Sequence, residues 1–165
     1  MSRPECPAEG AQQSEHSPGP IDDREPIVYI LVDPLTSQAG TVKDLLKSKL
    51  KQGTLSVCRC LHCSAAEANA AVVVPLTAGT LGRSFQGALW ATANRIRDIR
   101  LGMSDVGAFC LVDDGKPDYR AHAHLAYSPA DEKLRNAREA ARANLKAAFL
   151  ENGIQPSLAT CPFFE

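Results

Sequence analysis

The sequence lacks any apolar run that approaches the roughly 20 residues needed to span a bilayer. It also begins without the basic and apolar pattern of a secretory signal. We therefore expect a cytoplasmic chain with no membrane partner. Cysteines are kept reduced in that compartment, so the six cysteines are predicted to act as core, metal or redox residues and not as disulfides.

A strong charge of either sign is missing as well, since the formal net charge is −1. Residues 1–25 hold two basic and six acidic side chains, a balance of −4, which leaves +3 on the rest of the chain. Dedicated nucleic-acid binders carry a far more basic surface. A nucleic acid is therefore disfavoured as a partner, although the small positive excess is compatible with a smaller anion.

Residues 1–26 lack leucine, valine, phenylalanine and tyrosine, and they are rich in proline, serine, glutamate and glutamine. Such a segment has too little apolar surface to offset the entropy that it would lose on ordering. We predict a flexible, disordered tail over 1–26 and a single domain over 27–165. A chain of this length with 44% hydrophobic residues can bury an ordinary core without disulfide or metal staples.

The order of the predicted elements indicates an α/β fold. Residues 27–32 form a continuous apolar run, which is typical of a strand buried on both faces and hence of a parallel sheet. Further strands are expected at 54–61, at 71–76 and at two places within 106–127, and helices at 41–52, 64–70, 83–101 and 128–151. This alternation predicts a mixed, mostly parallel sheet of about five strands with helices packed on it.

Residues 106–127 are predicted to form two strands joined by an acidic loop, and they hold the densest polar chemistry of the chain. Side chains alternate between the faces of a strand, so Arg120, His122 and His124 should share one face. The apolar residues between them would form the core face. A guanidinium beside two imidazoles could receive a phosphate or a carboxylate, with the arginine supplying a bidentate fork.

The same two histidines suit a divalent metal, because a His-x-His pair on a strand aims both rings to one side. Asp114, or another acid of the loop such as Asp113 or Asp118, would complete a ligand set with His122 and His124. The pair resembles the His-hydrophobic-His metal motif of single-strand nucleases that use a catalytic tyrosine. Those enzymes carry the tyrosine on a separate helix, and the helix predicted after this strand contains none, which argues against that family.

Three polar residues follow apolar runs and are predicted to lie at the carboxyl ends of strands: Asp33, Thr77 and Asp113. In parallel sheets these ends share one edge, where ligands bind. The three side chains could therefore converge on one ligand-binding crevice. The alternative is that they are ordinary turn and cap residues, which is the usual role of Asp and Thr after a strand.

Cys58, Cys60, His62 and Cys63 form a C-x-C-x-H-C cluster, in which soft thiolates and an imidazole could bind zinc or copper. The sequence contains no second half of a usual structural zinc site. On a strand, the alternation would instead make Cys58 and Cys60 small apolar fillers of one face. Both interpretations stay open at this point.

Trp90 has Asn94 and Arg97 nearby on a predicted helix, so it is a candidate contact for a protein partner or for a second copy of the chain. No stretch matches a catalytic or cofactor motif closely enough to name a reaction. The sequence therefore predicts a binding or regulatory module that recognises an anionic small molecule or a protein partner. The alternative is a metal-dependent hydrolase, a phosphodiesterase or nuclease, with a divalent metal on His122 and His124.

Overall fold

The structure is a computed structural model of the chain, and it describes residues 6–10, 14–32, 53–79, 83–161 and 163–164. Its strands are β1 (Pro26–Val32), β2 (Thr54–Arg59), β3 (Phe85–Thr92), β4 (Phe109–Asp113) and β5 (His122–Tyr127). Its α-helices are α1 (Ala65–Ala68), α2 (Val74–Thr77), α3 (Ala93–Arg97), α4 (Glu132–Arg135) and α5 (Arg138–Leu150). A π-helical turn at Asn69–Val73 joins α1 to α2, and short 3-10 turns lie at Pro7–Gly10, Cys60–His62 and Leu158–Thr160. The helix predicted at 41–52 lies outside the described residues.

The described strands form one five-stranded sheet in the order β3-β1-β2-β5-β4, and every pairing in it is antiparallel. The prediction of a mostly parallel sheet is therefore wrong. The reason lies in β1, because all seven of its residues are buried, as they would be in a parallel strand. Both faces of this antiparallel sheet are covered, so burial on two sides does not require parallel neighbours.

Two apolar layers cover the sheet. The first layer, which we call the helix face, joins the strand residues Ile27, Leu31, Leu55 and Leu125 to Leu145 and Phe149 of α5. The second layer, which we call the cavity face, joins Val28, Ile30, Cys58 and Ala121 to Val73 of the helical turn and to Leu158 and Phe163 of the C-terminal segment. The alternation of side chains along β1 thus supplies one row to each layer.

The segment predicted as a helix at 83–101 forms β3 and the short helix α3 instead. Its apolar residues recur at helical spacing, but Phe85–Thr92 pairs with β1 along its whole length. Gly87 within it has a φ of +130°, which no α-helix contains. Pairing with a buried central strand therefore overrides the local pattern.

The strand predicted at 71–76 is helical. Ser64 and Glu67 form a capping box, in which each side chain accepts a hydrogen bond from the backbone N–H of the other residue. This box starts α1, as predicted for the short helix at 64–70, and the helical path continues to Thr77. A short apolar run does not distinguish a buried strand from a helix by periodicity alone.

The helix predicted at 128–151 begins later than expected and is divided into α4 and α5. Its N-cap is Asp131 and not Ser128, because the Asp131 carboxylate accepts a hydrogen bond of 2.9 Å from the backbone N–H of Leu134. Gly153 follows the last turn with a φ of +72°, which is typical of a left-handed C-terminal stop.

The segment before β1 contributes buried side chains to the domain, which its composition did not indicate. Cys6, Ile21 and Glu25 are all buried. Cys6 is also joined to Cys110 of β4 by a disulfide, so the expectation of reduced thiols does not hold for these two residues. The other four cysteines are free and buried. A few tertiary contacts therefore hold the described residues of this segment against the sheet, and the flexible tail over 1–26 as a whole stays a prediction.

The C-terminal segment crosses β3 and covers Trp90. Gln155 and Ala88 exchange two backbone hydrogen bonds of 2.8 and 2.9 Å. The ring of Phe163 packs edge-on against Trp90, with 4.8 Å between the ring centroids. Trp90 therefore lies on a strand and not on a helix, and its contact with a partner or a second copy stays a prediction.

The close approach of this segment makes Gly87 the most constrained glycine of the sheet. A Cβ atom at Gly87 would lie 2.6 Å from Ile154 Cγ2 and 2.8 Å from the Gln155 carbonyl oxygen. Gly53 has a similar φ of +121°, but a Cβ atom there would meet nothing within 4 Å. The two glycines thus separate steric clash from backbone strain.

We predict that Gly87→Ala lowers the free energy of unfolding by more than Gly53→Ala does. Both variants place an alanine at positive φ, at a cost of about 1–2 kcal/mol. Gly87→Ala must in addition displace the C-terminal segment, which adds about 1–3 kcal/mol. Urea unfolding at pH 7 measures both values, and equal losses in the two variants would contradict the close packing at Gly87.

Candidate functional site

A buried ion cluster lies at the end of β2. The guanidinium of Arg59, whose side chain is 2% exposed, donates from Nε to Glu25 Oε1 at 2.7 Å and from Nη2 to Glu25 Oε2 at 2.8 Å. Its Nη1 lies 3.1 Å from Asp113 Oδ2. The carbonyl oxygens of Gly19 and Pro20 accept further hydrogen bonds from the same guanidinium. Arg59 thereby ties the segment before β1 to both β2 and β4.

Asp113 is the weakly bonded member of this cluster. Neither of its oxygens accepts a hydrogen bond of normal geometry, although the distance to Arg59 is that of an ion pair. Burial raises the pKa of the Asp113 carboxyl, and the charge of Arg59 offsets part of that rise. The bidentate pair with Glu25 is therefore the main counter-charge of Arg59.

The predicted crevice of Asp33, Thr77 and Asp113 loses its premise. β1 and β4 run in opposite directions, so their carboxyl ends lie at opposite edges of the sheet. Asp113 is buried against Arg59, and the Thr77 hydroxyl donates a hydrogen bond of 2.8 Å to the Val73 carbonyl within its own helical segment. Asp33 lies outside the described residues.

Asp114, His122 and His124 lie together beside the hairpin loop. Asp114 Oδ2 is 3.4 Å from His122 Nδ1 and 3.6 Å from His124 Nδ1. Both imidazoles are half-buried on one face of β5, as the alternation predicted, while Ala123 and Leu125 point into the core. Burial lowers the pKa of His124. Burial alone would raise the pKa of Asp114, but the Lys116 ammonium, with the two histidines, lowers it.

This group does not form a preformed metal cage. The Lys116 ammonium lies 2.7 Å from Asp114 Oδ2, where a bound cation would approach. Among the residues that the structure describes, only Cys6, Glu9 and Cys110 place three ligand atoms within 4.8 Å of one another. Metal binding by His122, His124 and Asp114 stays a prediction.

Arg120 lies apart from β5, in the turn that precedes it. Its side chain is exposed, and its Nε donates a hydrogen bond of 3.3 Å to the backbone carbonyl of His16. The strand therefore carries the two histidines of the predicted face, and Arg120 is not part of it. Anion binding by Arg120 stays a prediction.

The cysteines at 58, 60 and 63 are buried in the cavity face. Cys58 Sγ lies 3.5 Å from Cys63 Sγ, and the Cys60 thiol donates a hydrogen bond of 3.4 Å to the Pro26 carbonyl. The contact with Cys63, together with burial, raises the pKa of Cys58, which keeps this thiol protonated. This environment agrees with the interpretation as core residues, and metal binding by Cys58, Cys60 and Cys63 stays a prediction.

A cavity of about 410 Å³ opens on the cavity face between β1, β2, the helical segment and the hairpin. Its apolar side includes Val28, Ile30, Val32, Val72 and Leu76. Its polar side includes Thr54, Ser56, Arg83, Tyr119 and His122. The described lining therefore offers hydroxyl groups, an imidazole and a guanidinium, and it contains no carboxylate.

Tyr119 is the polar group of the cavity whose environment is least satisfied. The residue is 7% exposed, and its hydroxyl makes no hydrogen bond of normal geometry among the described residues, although it interacts with the neighbouring Cys58 sulfur, a weak acceptor. Burial raises the pKa of Tyr119 far above its usual value, so the phenol keeps its proton and stays a donor. A buried donor without an acceptor costs about 1–3 kcal/mol, which a bound acceptor would recover.

His122 forms the neighbouring polar wall. Its Nδ1 lies 3.0 Å from the Asp114 backbone carbonyl, which can only accept, so in the neutral ring Nδ1 carries the proton. Nε2 then accepts from the Ser56 hydroxyl at 3.3 Å. The rings of His122 and Tyr119 meet edge to face, with 6.3 Å between the centroids. Sequence reasoning found His122 but missed Tyr119, because Tyr119 precedes the strand and no alternation indicates where its side chain lies.

Comparison of the chain with protein-family models, with curated proteins and with solved structures found no match. Within the described part of the chain, no helix has the length and apolar character needed to cross a membrane.

We predict that Glu25→Gln destabilises the chain more than Asp113→Asn does. Glu25→Gln removes the hydrogen-bonded counter-charge of a buried guanidinium, which costs about 3–5 kcal/mol. Asp113→Asn leaves that bidentate pair in place and removes a carboxylate that makes no normal hydrogen bond, so we expect a loss of about 1 kcal/mol or less. Urea unfolding at pH 7 measures both, and equal losses would contradict the asymmetry of the cluster.

The same pair of proteins predicts a dependence on pH. Because the pKa of Asp113 is raised in the folded chain, its carboxyl loses its proton at a lower pH in the unfolded chain than in the folded chain. The wild type therefore loses this contribution to stability as the pH rises from below the ordinary aspartate range to above the raised value. Asp113→Asn has no such loss, so its stability relative to the wild type should improve over that rise. Unfolding curves at several pH values between about 3 and 7 test the sign.

Proposed function

We propose that this chain is a binding module for a small molecule with an apolar body and an anionic head, held in the cavity beside β1 and β2. The observation that carries the proposal is the buried Tyr119 hydroxyl, which lines the cavity and, among the described residues, makes no hydrogen bond of normal geometry and has only a weakly accepting sulfur, that of Cys58, beside it. Buried polar groups in proteins are almost always hydrogen-bonded, and a ligand oxygen would satisfy this one.

The shape and the lining support an amphipathic ligand. A volume of about 410 Å³ falls within the range of sites that hold small molecules. Val28, Ile30 and Leu76 offer contact to an apolar body. Such a site gains affinity from burial of apolar area at about 25 cal/mol per Å² and gains orientation from a few polar groups.

The polar end of the cavity supports a negatively charged head. Arg83 is the cation of the described lining, although it also interacts elsewhere in the chain, and the Tyr119 phenol contributes a hydroxyl donor. A hydrogen bond from a phenol to a carboxylate or sulfonate is charge-assisted and contributes about 1.5–3 kcal/mol. No acidic side chain of the described lining opposes such a head.

The proposal is tested with two fluorescent probes of similar size, 1-anilinonaphthalene-8-sulfonate and its uncharged analogue N-phenyl-1-naphthylamine. We expect both to bind the wild type with increased fluorescence. Tyr119→Phe should weaken binding of the sulfonate by about tenfold, which is the loss of one charge-assisted hydrogen bond. Binding of the uncharged probe should be unchanged, since the ring and the apolar wall remain.

Tyr127→Phe is the matched control, because its hydroxyl accepts from Arg142 and lies outside the cavity lining. It should bind both probes as the wild type does. In the free protein, Tyr119→Phe should be at least as stable as the wild type, since it removes an unsatisfied buried donor. Equal losses for both probes, or no difference between Tyr119→Phe and Tyr127→Phe, would sink the proposal.

A metal-dependent hydrolase is the second candidate, and one observation favours it. Asp114 Oδ2 lies within 3.6 Å of Nδ1 of both His122 and His124, so displacement of Lys116 and loss of the Nδ1 proton of His122 would give a cation three ligands on one side. A bound metal would then activate water for hydrolysis. Metal analysis of untagged protein decides this candidate: a stoichiometric divalent ion that His124→Ala loses would support it.

We also propose a cytoplasmic location and, as an alternative to the small molecule, a protein partner. The Cys6–Cys110 disulfide is typical of an oxidising compartment, so it argues against the location unless the bond is reduced in the cell. A protein partner becomes the better hypothesis if neither probe binds the wild type. Trp90, although packed on Phe163, is the aromatic group that would then be tested first.

A further inference from the structure

A second group of potential ligands lies away from the cavity, where the Pro7–Gly10 turn meets β4. Sγ of Cys6, Sγ of Cys110 and a carboxylate oxygen of Glu9 all lie within 4.8 Å of one another. The two sulfurs are bonded to each other in this structure. We propose that after reduction of this bond Cys6, Cys110 and Glu9 bind a divalent metal ion of the zinc class, which takes over the link between the turn and the strand.

The donor set fits such an ion. Zinc binds thiolate sulfur at about 2.3 Å and carboxylate oxygen at about 2.0–2.2 Å, and two thiolates with one oxygen leave a fourth position for water. Cys6 is 1% exposed and Cys110 is 5% exposed. Glu9 is held in place, since Oε1 accepts a hydrogen bond of 2.7 Å from the Leu111 amide and Oε2 lies 2.8 Å from Arg97 Nη2.

The surroundings of the two sulfurs suit thiolates. The fully buried Ser128 has its hydroxyl 3.4 Å from Cys6 Sγ and 3.6 Å from Cys110 Sγ, so it can donate to either sulfur. Groups of this kind orient metal ligands and tune their affinity. A divalent cation and the Arg97 guanidinium would offset the three negative charges of two thiolates and one carboxylate, which lowers the cost of burying them together, although Arg97 is also paired with the exposed Asp23 at 2.7 Å.

The disulfide and the metal site are alternatives, because the sulfurs cannot be bonded to each other and both act as thiolate ligands. Reduction by a phosphine breaks the S–S bond: the phosphine gives up two electrons and takes oxygen from water, and the two protons of that water go to the sulfurs. Metal binding then releases the two thiol protons. The same contact between the Pro7–Gly10 turn and β4 can thus persist under oxidising and reducing conditions.

The test uses Co2+ as the only added metal, with the full chain reduced by a phosphine, desalted and handled without oxygen. We expect about one Co2+ per chain, with intense sulfur-to-cobalt charge-transfer absorption in the near ultraviolet and the visible bands of a tetrahedral ion. Untreated protein with the disulfide intact should bind Co2+ at least about tenfold more weakly, because disulfide sulfurs carry no negative charge.

Three single variants locate the ion. Cys6→Ser should lose most of the charge-transfer absorption and bind Co2+ at least about tenfold more weakly. Glu9→Gln should keep the absorption but bind about tenfold more weakly, since only the oxygen ligand changes. Cys58→Ser is the matched control in the other cysteine group and should behave as the wild type, with circular dichroism confirming that each variant is folded.

Two results would overturn the proposal. One is a reduced wild type that takes up no Co2+ above the level of the oxidised protein. The other is charge-transfer absorption that survives in Cys6→Ser but disappears in Cys58→Ser, which would assign the ion to the cysteines of the cavity face. Neither result depends on the ligand of the cavity, so this test and the probe experiment on Tyr119 can fail separately.

Discussion

The complete burial of β1 is the constraint on which the rest of the structure depends. A strand that is apolar on both faces needs a cover on each side, and an antiparallel sheet alone does not supply one. The helix face is closed by α5 across its core. The cavity face is closed by shorter pieces from three parts of the chain, and about 410 Å³ of space is left between them. The candidate site exists where this second cover is incomplete.

Polar groups drawn into such an interior are satisfied to different degrees. Arg59 has partners on every side and ties the segment before β1 to the sheet. Among the described residues, neither the Asp113 carboxylate, which lies at ion-pair distance from Arg59, nor the Tyr119 hydroxyl makes a hydrogen bond of normal geometry. The hydrogen bonds of Arg59 stabilise a single structure, whereas the Tyr119 hydroxyl remains a donor for a bound ligand. This contrast explains why the cavity is a better candidate for ligand binding than the Arg59 ion cluster.

Sequence patterns predicted what is local and failed where distant residues decide. The alternation at His122 and His124 was confirmed, because the two-residue period belongs to the strand itself. The helix predicted at 83–101 was wrong, since pairing with β1 outweighs spacing. The parallel sheet was wrong because burial on both faces has more than one cause. Tyr119 could not be identified, since nothing in its neighbours shows that its hydroxyl ends beside a cavity.

The hydrogen bond from the Leu111 amide to Glu9 has a meaning beyond the link that it makes. β4 is an edge strand of the sheet, and an edge strand offers unpaired backbone groups to any extended chain. The Glu9 carboxylate accepts a hydrogen bond from one of these backbone N–H groups, and the Pro7–Gly10 turn packs beside this edge strand. Reduction of the Cys6–Cys110 disulfide together with proteolysis ahead of residue 14 would release the turn and expose this edge strand to intermolecular strand addition and aggregation.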